Sequence, residues 1–308
     1  MYDGICLTDT FQLNEHGDND IFSLLFPENS ERLQKQKKAP VRVIIGNPPY
    51  SVGQKSANDN AQNLSYPTLD KRVADTYVKY SNVTNKKALY NSYIKAIRWA
   101  TDRINQSKDG GIIAFMIPNS WLDGNAEEGL RIMFSVEYTS IYVIDLKGNG
   151  RTSGERCRQE GEPLFAAHGG QGGSLQGASI TILVKNPQKE GSSNILYYNI
   201  GDYLKRSEKL KRVKDSFSIS SIQWQQITPN AKNDWINLRD GLFDSFVKTA
   251  PDNRRNMKSM SFFSNVAIGL GTNRDAWDYN YSEIRLKDNI NRTLEFYNNQ
   301  ASLVSTKN

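Results

Sequence analysis

Asn47, Pro48, Pro49 and Tyr50, in that order, are the residues of this chain whose types point most directly to chemistry. They end VRVIIGN (41–47), a short β-branched apolar run that stops at a glycine and a double proline, as a buried strand running into a loop would. Open α/β sheets hold their ligands at the carboxyl ends of strands, and two successive prolines stiffen the loop so that its carbonyls point in set directions. The Asn47 side-chain carbonyl and the Pro48 backbone carbonyl then form a pair of acceptors suited to a planar NH2 group. Two acceptors orient the nitrogen lone pair for in-line attack, and Tyr50 offers a flat surface on which an extruded base stacks. By itself the tetrapeptide does not choose among adenine in DNA, bases in RNA and glutamine in proteins, since all three present a planar NH2.

The elements that must position these residues form an alternation. GGIIAFMIPNSW (110–121), YTSIYVIDLKG (138–148) and GASITILVKNP (177–187) repeat the strand pattern, and DGICLTD (3–9) is a weaker copy. KALYNSYIKAIRWATDRI (87–104) sets Leu89, Tyr93, Ile97 and Ala100 at helical spacing, with Lys95, Arg98 and Asp102 elsewhere around the turn. Strand, helix and strand without hairpin turns predict an α/β, Rossmann-like sheet that is mostly parallel. After residue 187 the texture changes: Lys205, Arg206, Lys209, Lys211, Arg212 and Lys214 crowd one segment, the pattern of a solvated helix face. From there the chain is rich in Asn, Asp, Ser and aromatics, so residues 1–215 are read as one domain and 216–308 as a linker and the start of a second. The glycine-rich stretch 169–177 reads as a flexible surface connection, and His16 and His168, in polar glycine-containing stretches, as surface residues.

Composition narrows the class. The chain has 308 residues with 39 Lys+Arg against 33 Asp+Glu, a mild basic excess that permits a polyanionic partner without demanding one. There is no apolar stretch of membrane-spanning length and no signal-peptide pattern at the start, so no membrane partner is expected. Cys6 and Cys157 lie far apart and make neither a disulfide framework nor a metal knuckle, which fits a cytoplasmic setting and predicts no metal. Arg151, Thr152, Ser153, Arg156 and Arg158 follow a strand and combine flexible glycines with guanidinium groups, as a loop gripping phosphates would.

The tetrapeptide at 47–50 is the hallmark of amino-group methyltransferases that use S-adenosylmethionine. VIIGNPPYSVGQ, LYNSYIKAIRWATDRI, IYVIDLKGNGRTSGERCRQEG, ITILVKNP, WINLRD and GLGTNRDAWDYN together, in that order, resemble the methyltransferase part of single-chain type ISP restriction-modification enzymes. The resemblance implies an adenine-N6 DNA methyltransferase acting on a flipped adenine of double-stranded DNA, followed by the opening of a target-recognition region. It makes Asn47 and Pro48 the acceptors for the adenine amino group and Tyr50 its stacking partner. It assigns Asp9 to the adenine ring of the cofactor, with Phe11 as its packing neighbour. Arg274, within Thr272 to Asp275 and near Trp277, falls where the family's chain leaves the catalytic domain, a place for positioning the recognition domain or for backbone contact with DNA. In such a reaction no general base is required, because the sulfonium methyl is electrophilic and alignment carries the step.

Two departures qualify this expectation. A methyltransferase of this order needs a strand and glycine-rich turn for the cofactor, and then an acidic residue for its ribose, upstream of Asn47. None is recognisable in the 46 residues that precede it, and DLKGNG (145–150) and GLG (269–271) match other family segments. The first two sheet strands therefore look absent, and the reading is of a fragment truncated at both ends, a truncated gene product, or half of a split enzyme whose N-terminal half arrives on another polypeptide. EGEPLFAAHGGQGGSLQG is also longer than the family's Glu-Gly-Gly segment. The rival readings are a catalytically inactive DNA-binding remnant and an enzyme acting on protein glutamine.

Overall fold

The structure, a computed structural model, describes residues 4–12, 15, 25–50, 64–165, 175–238, 242–249, 260–263 and 275–305. The chain divides into two compact units, Met1–Arg239 and Asp240–Asn308. The first is built on one sheet of six strands: β1 (Val43–Gly46), β2 (Gly111–Pro118), β3 (Ser140–Lys147), β4 (Ala178–Lys185), β5 (Asn194–Asn199) and β6 (Gln225–Ile227). Their order across the sheet is β1-β2-β4-β3-β5-β6. Four of these strands fall where the apolar runs predict, and the α/β class holds.

The expectation of a mostly parallel sheet does not hold. β1 pairs with β2 and β3 with β5 in parallel, but β4 lies antiparallel between β2 and β3, and β6 is antiparallel to β5. An interior strand reads as a continuous apolar run in either direction, so ASITILVK does not reveal its polarity. As a result β1, β2, β3 and β5 all end at the same margin of the sheet, where Asn47, Asn119, Gly148 and Ile200 leave it.

Helices cover both faces. On one side α1 (Pro27–Lys38), α2 (Pro67–Val73), α3 (Ser92–Asn105) and α4 (Glu128–Glu137) precede or link the strands, and α2 continues through a π-helical turn to Val78. Ile94, Ile97, Ala100 and Ile104 of α3 pack with Ile113, Phe115, Ile117, Val143 and Leu183 of the sheet in the main core. Asn91 starts α3 by accepting the Tyr93 N–H (3.4 Å). Gly129 of α4 meets the π-helical turn that continues α2 so closely that a Cβ would lie 1.9 Å from the Tyr77 carbonyl oxygen. On the other face Ile144, Leu146, Leu164, Ala178, Ile200 and Leu204 form a second core, beside α5 (Gly154–Glu160) and α6 (Arg206–Asp215).

The described residues 4–9 of DGICLTD do not form a strand. The main chain of residues 4–7 is held by the side chains of α1: Asn29 bonds both the N–H and the carbonyl of Leu7 (2.7 and 2.9 Å), Arg32 donates to the Ile5 carbonyl (3.1 Å) and Gln36 to that of Gly4. An apolar β-branched segment without a neighbouring strand has to satisfy its peptide groups elsewhere, and these side chains do so. In the second unit, α7 (Leu242–Ser245), α8 (Asp275–Asp278) and the long α9 (Glu283–Ser305) are the helices among the described residues. No described helix is long and apolar enough to cross a membrane.

Candidate active site

At the end of β1 the loop is tied to β2. The Tyr50 hydroxyl donates toward both the Asn47 Oδ1 (3.0 Å) and the Met116 carbonyl (3.1 Å). Asn47 itself is exposed, Pro48 is buried, and Tyr50 is half-buried with its ring edge-on to Tyr93 (6.4 Å, 85°). Burial pushes the Tyr50 phenol up to about 12, so it stays a neutral donor at ordinary pH. The bond fixes the Asn47 carboxamide with its oxygen toward Tyr50, and that oxygen keeps a second lone pair for an incoming N–H. The acceptor role read from the sequence for Asn47 is compatible with this geometry; the role of Tyr50 as a tether between β1 and β2 was not legible, because its partner Met116 is 66 residues away.

Asp9 and Phe11 meet Tyr66, a residue the sequence did not single out. Asp9 accepts the Phe11 N–H (3.0 Å) on one oxygen and the Tyr66 hydroxyl (2.8 Å) on the other, and the Phe11 and Tyr66 rings pack edge to face at 5.3 Å. Lys95 stands 5.3 Å from the Tyr66 ring and pairs with Asp70 at 2.7 Å. Burial and the Asp9 carboxylate both raise the Tyr66 phenol above its usual range. Glu15 accepts the N–H groups of Thr68 and Leu69 (2.9 and 3.0 Å) at the start of α2, strapping the same segment down a second time. A carboxylate beside two aromatic rings suits the adenine end of a nucleoside cofactor. In the glycine-rich turn after β3, the Gly148 N–H is taken up by the Glu160 carbonyl (3.0 Å). The second glycine segment, 269–271, lies outside the described residues.

The basic loop after β3 is a built structure. Lys209 on α6, fully buried, donates to the carbonyls of Glu160 (2.8 Å) and Glu162 (2.9 Å), where α5 ends. An ammonium there adds a charged donor to these carbonyls and meets the negative end of the helix dipole. Burial nevertheless lowers the Lys209 amine to about 8. The basic run 205–214 thus forms a helix as expected, but one of its lysines faces inward. Arg151 is exposed, Arg156 lies 3.6 Å from Asp123, and Arg158 pairs with Glu155 three residues back. Arg274, Thr272, Asn273, His16 and His168 lie outside the described residues. Trp277 is described, and its indole N–H reaches the Asn289 carbonyl and the Thr293 hydroxyl of α9 (3.1 and 2.9 Å).

Residues 8–151 match the family model of the Eco57I restriction-modification methylases. A curated relative, the Type II methyltransferase M.BanIII of Aneurinibacillus aneurinilyticus, is 28% identical over 146 residues, 44% of this chain and 22% of the relative. Among solved structures, the chain is similar to a nuclease-deletion mutant of the Type ISP restriction-modification enzyme LlaGI in complex with a DNA substrate mimic (41% identity, TM-score 0.78, 94% of this chain and 22% of that one). It is similar also to the ATP-dependent Type ISP enzyme LlaBIII bound to DNA (36%, TM-score 0.82, 97% and 19%) and to a DrdV–DNA complex (33%, 0.79, 96% and 28%). The resemblance read from the sequence is borne out over nearly the whole chain, while the chain spans only 19–28% of the length of these relatives.

Proposed function

We propose, from the match of residues 8–151 to the restriction-modification methylases and the likeness of the whole chain to Type ISP enzymes, that this protein is the catalytic part of an adenine-N6 DNA methyltransferase in a restriction-modification system. The observation that carries the reading is the exposed Asn47 carboxamide, held by Tyr50 at the carboxyl end of β1. In this reading Asn47 Oδ1 and the Pro48 carbonyl accept the two N–H bonds of the adenine amino group and turn its lone pair outward, and the Tyr50 ring stacks on the base. S-adenosylmethionine, when bound, supplies the methyl group as an electrophile. The protein's contribution is alignment and exclusion of water, and the amino proton is released after transfer, with no side chain acting as base. Asp9 and Phe11, with Tyr66, form the adenine end of the cofactor site, and the exposed Arg151 and Arg158, with Arg274, contact the phosphate backbone. Residues 1–215 carry the chemistry and 216–308 lead into target recognition.

The cofactor's glycine turn and ribose carboxylate come, on this reading, from a polypeptide segment outside residues 1–308, of the same protein or of a partner, that supplies the strands next to β1. The test is to titrate the full chain with S-adenosylmethionine by calorimetry, with and without duplex DNA, and then to follow transfer of a labelled methyl group into DNA after adding that polypeptide. The expected result is salt-sensitive DNA binding by the chain alone, and methylation on complementation that Asn47→Ala abolishes. Methylation indifferent to Asn47→Ala, or label appearing in protein glutamine, would overturn the proposal. DNA binding that never acquires cofactor affinity would establish the inactive remnant instead.

A further inference from the structure

The margin of the sheet that carries Asn47 holds a second feature. Over the ends of β3 and β5 opens a cavity of about 920 Å³, within the range of small-molecule sites and roomy enough for a nucleoside. Its floor is a fixed polar group: the buried Asp145 carboxylate accepts the Asn119 amide N–H (2.9 Å), the Tyr197 hydroxyl (2.9 Å) and the Lys147 N–H (2.9 Å). Tyr197 and Trp235 give the wall aromatic surface. Trp235 is only 3% exposed, and its indole N–H has no partner among the described residues. The Trp235 ring stands edge-on to Trp121 (5.3 Å, 79°), which fixes its orientation in this wall.

Charge decides what kind of ligand enters. Asp123, Asp145, Glu155 and Glu160 line the cavity against Lys147 and Arg156, four negative groups to two positive, a net of −2. Arg156, assigned to phosphate from the sequence, is drawn to Asp123 at 3.6 Å, and Asn237 also donates to Asp123 (2.8 Å). A phosphate is repelled by this lining. A neutral ring bearing exocyclic N–H donors is not: it stacks on the aromatic wall and donates to the carboxylates.

We propose that this cavity receives a second, unpaired nucleobase, distinct from the base held at Asn47. The proposal deepens the reading of the chain as a DNA methyltransferase and rests on it. β1 and β3 are three places apart in the sheet, on the order of 14 Å at 4.8 Å per strand. That separation is about four base steps at 3.4 Å per base along one strand. A strand that delivers its adenine to Asn47 therefore reaches the cavity with a base a few positions away, and the acidic lining takes the base while leaving the backbone outside.

Oligonucleotides carrying a 5-iodouracil at successive positions around one adenine are bound to the full chain, irradiated, and the cross-linked residue is identified by mass spectrometry. The expected result is cross-linking to Trp235 or Tyr197 from positions within about four steps of the adenine, when that position is unpaired. Trp235→Phe, which keeps a ring but shortens the aromatic wall, is expected to weaken binding of the unpaired-base oligonucleotide about threefold, leaving the fully paired duplex unchanged. DNA that binds but cross-links only elsewhere, or a Trp235→Phe chain that loses both ligands equally, overturns the proposal. Free 5-iodouridine labelling Trp235 while no DNA binds would keep a nucleoside pocket and overturn the DNA reading. Absence of labelling by either would overturn both.

Discussion

Tyr50 serves two geometrical roles at once, since its hydroxyl spans from Asn47 to the Met116 carbonyl while its ring closes the core beside Tyr93. Tyr50→Phe keeps the ring and removes the tether. It is expected to cost about 1 kcal/mol of stability and to lower methyl transfer by roughly tenfold through loss of Asn47 orientation, with DNA affinity little changed. A rate equal to wild type, measured with saturating DNA in the complemented enzyme, would mean that the carboxamide orients itself. The tetrapeptide was legible in the sequence because its four residues are contiguous and their chemistry is local. Tyr66 and Lys209 were not, because their partners Asp9 and Glu160 lie 57 and 49 residues away, and nothing in their immediate surroundings distinguishes them from ordinary core and surface residues.

At the level of elements, the apolar runs that became β1 to β4 and the helix α3 were legible because their periodicity is set by burial. The polarity of β4 was not, and β5 and β6 escaped because NILYYN and QQI carry too little apolar contrast. Packing between helices is equally invisible in the sequence: Gly129 reads as a weak point of α4, yet its lack of a side chain lets the Tyr77 carbonyl approach. Gly129→Ala is expected to destabilise the first unit by about 3 kcal/mol, despite the better helix propensity of alanine, as read from the denaturant midpoint. The α5–α6 clasp adds a pH signature. Because burial holds folded Lys209 near 8 against an ordinary 10.5, the unfolded chain binds a proton between those values that the folded chain does not. Stability should therefore rise from pH 8 towards pH 10, by up to about 1.4 kcal/mol per pH unit, until tyrosine ionisation opposes it. Lys209→Met should flatten that rise and be less stable at neutral pH, as the Glu160 and Glu162 carbonyls lose this donor; an unchanged slope would assign the effect to another group.

For the whole molecule, the sheet is covered on both faces except at one border. β1 pairs only with β2 among the described residues, and Val43 and Ile45 are 57% and 77% exposed beside Ile112 at 39%. Ile44, between them, packs into the main core, so the strand is anchored on one face and bare on the other. A strand edge with no second partner among the described residues, next to exposed β-branched side chains, favours pairing with another strand, whether from a second copy of the chain or from the segment proposed to complete the cofactor site. The two cases separate by concentration and by stoichiometry. Ile45→Lys places a charge on that bare surface without touching the core, so its thermal stability should match wild type to about 0.5 kcal/mol. Wild-type chain should associate with rising concentration in light scattering, the variant should remain monomeric, and complementation of methyl transfer should fall with it, because a lysine there resists burial by an incoming strand. Equal association of both chains would place the contact elsewhere. Undiminished complementation by the variant would show that the completing strands do not add to β1, and would remove the geometric basis for a cofactor site shared across that edge.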